Sequence, residues 1–148
     1  MTLKENFHHD EKSICGFFGE YRFLSNFYNC KVIYDELIFN SAENAYQAAK
    51  STDLSTRQKF LTISSKEAKN LGKVIVIRED WDSVKLTIMT KIVTDKFFRN
   101  SNLAQLLLDT GEKYLEERNY WGDNFWGVCK GKGQNNLGKI LMSIRSQL

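Results

Sequence analysis

The sequence predicts an α+β fold, a single, mainly helical domain with a small strand element. Apolar residues recur at helical spacing in several segments, whereas β-branched and aromatic residues cluster in a short stretch at 30–39. No internal repeat, composition break or low-complexity linker divides the 148 residues, a length typical of one domain. We therefore expect residues 1–12 to form a frayed polar leader and residues 13–148 to form one domain.

Strands and short helices are predicted for the first half of the chain. A hairpin is indicated by extended-type residues on both sides of Asp35-Glu36, and Gly72 is typical of a residue that stops a helix. The predicted elements are, in order, a strand at 14–18, an aromatic-rich loop at 21–28, hairpin strands at 30–34 and 37–39, helices at 41–50, 53–63 and 65–71, and an extended run at 74–77.

Longer helices are predicted for the second half. Apolar residues recur at helical spacing from 82 to 99, and Lys85 and Lys96 fall inside that apolar arc. A lysine in this position either packs its stem with the ammonium in water or meets an anion. The remaining predicted elements are a helix at 103–109, a strand at 114–117, a glycine-rich loop at 122–133 and a final helix with a buried stripe of Leu137, Ile140, Leu141 and Ile144.

The helix predicted after the hairpin carries its reactive groups on one side. At about 100° per residue, Glu43 and Lys50 project almost together. Tyr46 and Gln47 flank them, and alanines occupy the opposite side. We expect the polar side to be too polar for the core and to line a pocket in which protons move. An alternative stays open, because Asn40 and Glu43 have the spacing of a capping box and Lys50 would then be an ordinary charge in the last turn.

The composition is that of a globular chain without a membrane segment. It is 42% hydrophobic and 13% aromatic with mixed charge. No apolar run approaches the roughly 18 residues that span a bilayer, and the polar N-terminus has no signal-peptide core. We expect a cytoplasmic protein with no membrane partner.

The scarcity of histidine and the spacing of the cysteines restrict the chemistry. His8 and His9 are the only histidines, which argues against a histidine metal site or a Ser/His or Cys/His catalytic pair. Cys15, Cys30 and Cys129 are odd in number and far apart, which is typical of reduced, buried thiols. The net charge of +3 is spread along the chain and favours a phosphate-bearing small molecule as much as nucleic acid.

Six motifs, in order, together resemble the NADAR (YbiA-like) family, whose name refers to NAD and ADP-ribose. The motifs are Phe23-Leu24-Ser25-Asn26-Phe27, Glu43-x-x-Tyr46-Gln47-x-x-Lys50, Asp80-Trp81 with Lys85 and Met89, Thr110-Gly111-x-x-x-Leu115-x-Glu117, Asp123-x-x-Trp126-Gly127, and Gly133-x-Asn135-x-Leu137-Gly138-x-x-Leu141-Met142-x-x-Arg145. The resemblance runs from about residue 16 to residue 145. Many relatives have histidine where this chain has Asn44.

The resemblance implies a largely helical α+β fold and an N-glycosidase that cleaves bonds to ribose. The implied substrates are phosphorylated ribosylamine intermediates of riboflavin synthesis, or ADP-ribosylated guanine in nucleic acid, with no bound cofactor or metal. Glu43 corresponds to an acid or base, and Lys50 to the residue that captures the sugar carbon as a Schiff base. The alternative is a binding module of the same fold that holds ADP-ribose or NAD derivatives without turnover.

A full set of site residues follows from the motifs and their chemistry. We expect an anion to bind at the start of the last helix, where segment 130–135 brings Lys130, Lys132 and free backbone N–H groups, with Arg22 and Lys85 added. A surface loop is the alternative for that segment. The predicted catalytic residues are Glu43, Lys50 and Asp123, and the predicted substrate-binding residues are Arg22, Ser25, Asn26, Phe27, Tyr46, Gln47, Trp81, Lys85, Trp126, Gly127 and Asn135.

Overall fold

The structure, a computed structural model, describes residues 7–148 and contains the mixture of helices and strands predicted from the sequence. Its contacts divide the chain into two compact units. A central unit comprises Asn26–Ser101, and a terminal unit joins the segment that ends at Ser25 to Asn102–Leu148. Each unit is described by itself.

The central unit is built around a short buried helix. A hairpin of β3 (Asn29–Tyr34) and β4 (Leu37–Ser41) leads directly into α1 (Ala42–Ala49). Asp35 and Glu36 both have positive φ, as the tightest hairpin turns require. The hairpin, α2 (Leu54–Gln58), α3 (Ser65–Leu71) and α4 (Trp81–Arg99) all contact α1, and α4 also packs on β3.

The terminal unit combines a small sheet with two helices. β1 (His8–His9) pairs antiparallel with β2 (Ser13–Cys15), which pairs parallel with β5 (Tyr114–Glu116). β6 (Arg118–Asn119) and β7 (Val128–Cys129) form a separate parallel pair. The helices are α5 (Ser101–Asp109), whose first residue belongs to the central unit, and α6 (Asn136–Gln147), which packs against β5.

Most predicted elements are confirmed, and the errors fall in short segments. The strand at 14–18, the hairpin, the helices at 41–50, 65–71, 82–99 and 103–109, the strand at 114–117 and the final helix are all present, with bounds that differ from the predicted ones by at most three residues. The predicted stripe of α6 is buried.

Five predictions about local structure are wrong. The expected leader contains strand β1, while its residues 1–6 lie outside the described part of the chain. The predicted helix at 53–63 ends at Gln58. The extended run at 74–77 forms no strand, because a turn at Val74 and a bend at Ile75 lead into irregular backbone, and both of its valines are exposed. The aromatic loop begins with a 3-10 helix at Gly19–Leu24, and the glycine-rich loop contains β7. Strands of two residues and a run of four are too short for hydrophobic periodicity to identify their secondary structure.

Candidate functional site

Helix α1 is capped by Ser41, not by Asn40. The Ser41 Oγ accepts a hydrogen bond from the Asn44 backbone N–H at 3.1 Å and donates to Asn44 Oδ1 at 2.6 Å. The alternative that paired Asn40 with Glu43 in a capping box is therefore wrong. Because Ser41 caps the helix, the Glu43 carboxylate is not needed for that task.

Asn44 fixes the loop that precedes α3. Its Nδ2 donates to the carbonyl oxygens of Phe60 at 2.9 Å and Ile63 at 2.8 Å, and the side chain is fully buried. The buried amide therefore satisfies two loop carbonyls that have no place in a helix ladder. Its contacts give Asn44 a role in the fold.

The polar side of α1 is buried, which contradicts the expectation that it is too polar for the core. Glu43 is 8% exposed and Gln47 is 6% exposed, and Tyr46 is buried beside them. Gln47 Nε2 donates to Glu43 Oε1 at 2.8 Å. A buried carboxylate costs free energy unless it is hydrogen bonded, and Gln47 supplies one such bond. Glu43 also lies in the first turn of α1, where the helix dipole favours a negative charge.

Lys50 lies at the C-terminal end of the same helix, half-buried. Its Nζ is 5.9 Å from the centre of the Tyr46 ring. Burial lowers the pKa of the Lys50 ammonium below 10.5; the Glu43 charge opposes this, and Lys85 and Lys73 reinforce it. Because the pKa of Lys50 is lowered, the fraction of neutral, nucleophilic amine near neutral pH is larger at Lys50 than at an exposed lysine.

Aromatic and polar side chains of the central unit extend this cluster. The Tyr46 and Trp81 rings are 5.1 Å apart with a tilt of 52°, so Trp81 joins the residues around α1. The Asn26 side chain donates from Nδ2 to the Met89 sulfur at 3.5 Å. The backbone carbonyl oxygen of Asn26 accepts from the Glu43 backbone N–H at 2.9 Å. Among the described residues, none donates a hydrogen bond to the buried Asn26 Oδ1.

The inward lysines of α4 differ from each other. Lys96 is fully buried, and its Nζ lies 5.9 Å from the centre of the Tyr28 ring and 5.1 Å from that of Phe97. Lys85 is partly exposed and pairs with Asp82 at 3.3 Å. These contacts are with other side chains of the protein, and the anion role of Lys85 stays a prediction.

Phe27 packs under a lysine of α3. The Lys69 Nζ is 5.8 Å from the centre of its ring, and the Phe27 carbonyl oxygen accepts a hydrogen bond from Ser65 Oγ at 3.0 Å. These contacts tie the segment before β3 to α3. The substrate-binding role of Phe27 stays a prediction.

The remaining candidates lie in the terminal unit, where their contacts build a loop. Asp123 Oδ1 accepts hydrogen bonds from the backbone N–H groups of Phe125 at 3.1 Å and Trp126 at 2.9 Å. The Trp126 ring lies edge-on to Phe125 with centres 4.7 Å apart. A side chain at Gly127 would overlap the Glu117 carbonyl oxygen, so this glycine allows a close approach of two backbones. The predicted catalytic role of Asp123 and binding roles of Trp126 and Gly127 stay predictions.

The expectation of free backbone N–H groups at the start of α6 is wrong for residues 134–137, and the anion site predicted there stays a prediction. The four N–H groups of these residues donate to carbonyl oxygens of the preceding loop. These bonds join Gln134 to Asn124 at 2.8 Å, Asn135 to Gly127 at 3.2 Å, Asn136 to Phe125 at 3.2 Å and Leu137 to Trp126 at 3.0 Å. An anion at this helix start would have to displace backbone hydrogen bonds.

Asn135, at the same place, is fully engaged with protein atoms. Its Oδ1 accepts from the Glu117 backbone N–H at 3.0 Å, and its Nδ2 donates to the Leu115 carbonyl oxygen at 2.9 Å. The backbone of Asn135 is left-handed, with φ of 52°. Arg22 is exposed, and Ser25 donates its backbone N–H to the Arg22 carbonyl oxygen at 2.9 Å. The binding roles of all three stay predictions.

The described residues contain neither a metal-binding cluster nor a membrane-spanning helix. Within residues 7–148, no group of three or more His, Cys, Asp or Glu side chains is arranged to hold a metal ion. Over the same residues, none of the helices combines the length and the apolar character that a bilayer crossing requires.

Sequence reasoning missed the contribution of Gly72. Helix α3 ends immediately before Gly72, as the sequence predicts, but the φ of −61° at this residue is right-handed and open to any residue. What requires glycine is space, because a Cβ at this position would overlap Gln47 Oε1 and lie 2.7 Å from Gln47 Cδ. A glycine at the end of a helix is so common that the sequence offered no signal for this second role.

Comparison with known proteins places these motifs in a family. A family model of the NADAR domain matches residues 7–148. An N-glycosidase of Nostoc punctiforme is 35% identical over 135 residues, which cover 86% of each chain. A riboflavin biosynthesis protein of Vibrio vulnificus is 37% identical over 130 residues, which cover 85% of this chain but 35% of that longer protein.

A solved structure shares the fold. The NMR structure of the Escherichia coli protein YbiA is 30% identical and matches with a TM-score of 0.80 over 99% of this chain and 92% of that chain. The predicted α+β, YbiA-like fold is therefore confirmed.

Proposed function

The chain belongs to the NADAR family, and we propose that it is an N-glycosidase that hydrolyses the C1–N bond between a ribose and a nitrogenous leaving group. Relatives that it matches over most of their length are named N-glycosidases. The observation that supports this function best is the arrangement of α1, which holds a buried carboxylate and an amine of lowered pKa on one short helix. A binding module has no use for that pair.

Glu43 is proposed to move protons between the leaving nitrogen and water. Cleavage of a ribosyl C1–N bond develops positive charge on the sugar and negative charge on the leaving nitrogen. An ionised carboxylate in the site stabilises the positive charge on the sugar. In its protonated form, the same group neutralises the negative charge on the leaving nitrogen. The Gln47 hydrogen bond at 2.8 Å holds one carboxylate oxygen in place for this task.

Lys50 is proposed to act as a nucleophile on the ring-opened sugar. Opening of the ribose ring leaves C1 double-bonded to the leaving nitrogen, and the neutral Lys50 amine adds to C1. Both protons of the Lys50 amine pass to the leaving nitrogen, with Glu43 as the carrier, and the old C–N bond breaks to leave an imine between Lys50 and C1. One water then adds to C1 and returns the amine, so that the net reaction consumes one water and releases ribose with a free C1.

The substrate is proposed to be a phosphorylated ribosylaminopyrimidine of the kind found in riboflavin synthesis. Relatives from Vibrio vulnificus and Zea mays carry riboflavin biosynthesis in their names. This chain spans about a third of the first of these proteins and a fifth of the second, so it corresponds to one part of each. ADP-ribosylated guanine in nucleic acid is the second candidate, supported by the family resemblance.

A substrate panel tests the proposal. The protein is incubated with a phosphorylated ribosylaminopyrimidine and, separately, with DNA carrying ADP-ribosylated guanine, and products are identified by mass spectrometry. We expect release of the free pyrimidine amine and ribose 5-phosphate from the first, and loss of this activity in Glu43→Gln. Release of ADP-ribose from the DNA alone would assign the second substrate. Binding of either substrate without any product would overturn the N-glycosidase function.

A further inference from the structure

The cluster around α1 depends on a contact with the end of α3 that no motif indicated. Gly72 is buried and follows the last residue of α3, where its backbone N–H donates to the Ala68 carbonyl oxygen at 2.9 Å. This bond continues the backbone pattern of α3 to Gly72, and the Gly72 Cα lies beside the Gln47 side chain of α1. The side-chain amide of Gln47 occupies the space that a Cβ would take.

The contact determines how the Gln47 amide is oriented. Gln47 Oε1 faces Gly72, and among residues 7–148 none donates a hydrogen bond to it. The other end of the amide donates to Glu43 Oε1 at 2.8 Å. A flipped amide would set its oxygen against the Glu43 carboxylate oxygen, where two acceptors repel each other. Glycine at 72 leaves the amide room for the one orientation in which it donates to Glu43.

We propose that Gly72 is a positioning residue for Glu43, acting through the Gln47 amide. The proposal rests on the proposed function in which Glu43 transfers protons. The lack of a side chain at 72 lets Gln47 lie flat between α1 and α3. Gln47 in turn holds the Glu43 carboxylate at the geometry that the reaction needs. The glycine thus serves the site by allowing close approach, and its backbone φ of −61° does not require it.

The substitution Gly72→Ala isolates this role from backbone strain. Alanine adopts the φ and ψ of Gly72 without cost and restricts the unfolded chain. The added methyl must therefore act through its overlap with Gln47. We expect kcat to fall by about 10- to 100-fold with KM nearly unchanged, since small displacements of a catalytic group have effects of this size. Asn70→Ala, an exposed change two residues earlier in α3, is the matched control and should leave kcat unchanged.

A double-variant cycle tests whether the effect passes through Gln47. Gln47→Ala removes the amide and should lower kcat to a similar extent. Adding Gly72→Ala to Gln47→Ala should then change nothing further, because the methyl no longer has an amide to displace. The double variant also has room for the alanine, so it reports even where Gly72→Ala alone folds poorly. An equal further loss of kcat in the double variant would overturn the proposal.

A measurement without substrate separates this proposal from the proposed function. In 15N-labelled protein, the Gln47 side-chain amide protons, assigned by their loss in Gln47→Ala, should include one shifted downfield by the carboxylate. We expect that signal to move toward the positions of exposed glutamine amides in both Gly72→Ala and Glu43→Gln. An unchanged signal in Gly72→Ala overturns the positioning role. A moved signal in a protein that hydrolyses no ribosyl substrate overturns only the proposed function.

Discussion

Helices α1 and α6 both begin with polar residues of the family motifs, yet the fold uses them differently. At α6, the Asn135 side chain and the backbone N–H groups of residues 134–137 are bonded to other backbone groups of the protein. At α1, Ser41 and Asn44 form the N-terminal cap. The helix therefore does not require the side chains of Glu43 and Lys50 for its own start. A polar residue is therefore available for chemistry where a neighbour already performs its local structural task.

The largest effect is expected for Glu43→Gln. Glutamine keeps the shape and can still accept the Gln47 hydrogen bond, but it cannot transfer a proton. We expect turnover to fall by about 100-fold or more, with thermal unfolding nearly unchanged. Glu67→Gln is the matched control, since Glu67 is also a carboxylate in the first turn of a helix and serves a capping box. Normal turnover in a folded Glu43→Gln protein would return Glu43 to a structural role.

Asn135→Ala should act on stability in the other region. The substitution removes the side-chain oxygen that accepts from the Glu117 N–H and the amide nitrogen that donates to the Leu115 carbonyl oxygen. It also places alanine in a left-handed conformation. We expect the free energy of unfolding to fall by about 2–4 kcal/mol, measured by urea denaturation. The exposed neighbour Gln134→Ala should change it by less than about 0.5 kcal/mol. Unchanged stability with loss of substrate binding would make Asn135 a ligand residue.

Asp123→Asn sharpens the comparison, because it separates the two roles of that carboxylate. Asparagine keeps an Oδ1 that accepts the Phe125 and Trp126 N–H bonds, so the loop is retained. If Asp123 serves the loop, we expect turnover within about threefold of the original, which is below the effect of a general acid or base. A fall as large as that of Glu43→Gln would confirm the catalytic role predicted from the motif.

The smallest effect concerns the stability cost of Lys50. Because burial lowers its pKa, the unfolded chain binds more protons than the folded one between the lowered pKa and 10.5, and stability rises with pH across that interval. Lys50→Met removes the buried ammonium and should raise the free energy of unfolding at pH 7 by about 0.5 kcal/mol. The gain should shrink as the pH approaches 10.5. The exposed Lys66→Met should give no comparable gain, and an equal gain there would attribute the effect to methionine.

Much of the fold follows from sequence periodicity. Long segments such as α4 and α6 repeat their apolar residues often enough to be identified, and the turn at Asp35-Glu36 separates two clear strand patterns. Strand β1 escapes prediction because two residues show no period, and its pairing with Cys15 and Ile14 is a tertiary contact. The segment at 74–77 has the composition of a strand, but no strand of the described chain pairs with it.

The candidate site was predictable only in part. The side of α1 shared by Glu43 and Lys50 follows from helical geometry alone. Its burial does not, because α3 and α4 cover the helix through contacts that no local pattern encodes. The same limit explains the error at α6, where the loop carbonyls that occupy the N–H groups come from residues 124–127.

Reductive trapping at Lys50 distinguishes a covalent route through an imine from direct hydrolysis by water. The full chain is incubated with ribose 5-phosphate or ADP-ribose, whose free C1 aldehydes form imines with amines, and borohydride then adds hydride to C1 to give a stable secondary amine. We predict an adduct on the peptide containing Lys50 with at least one of these sugars, formed faster than on the peptide containing the exposed Lys66. The adduct should be lost in Lys50→Arg together with turnover, because arginine is too basic to act as the nucleophile. Near-normal turnover in Lys50→Arg, with no trapped species on the original protein, would contradict the covalent route.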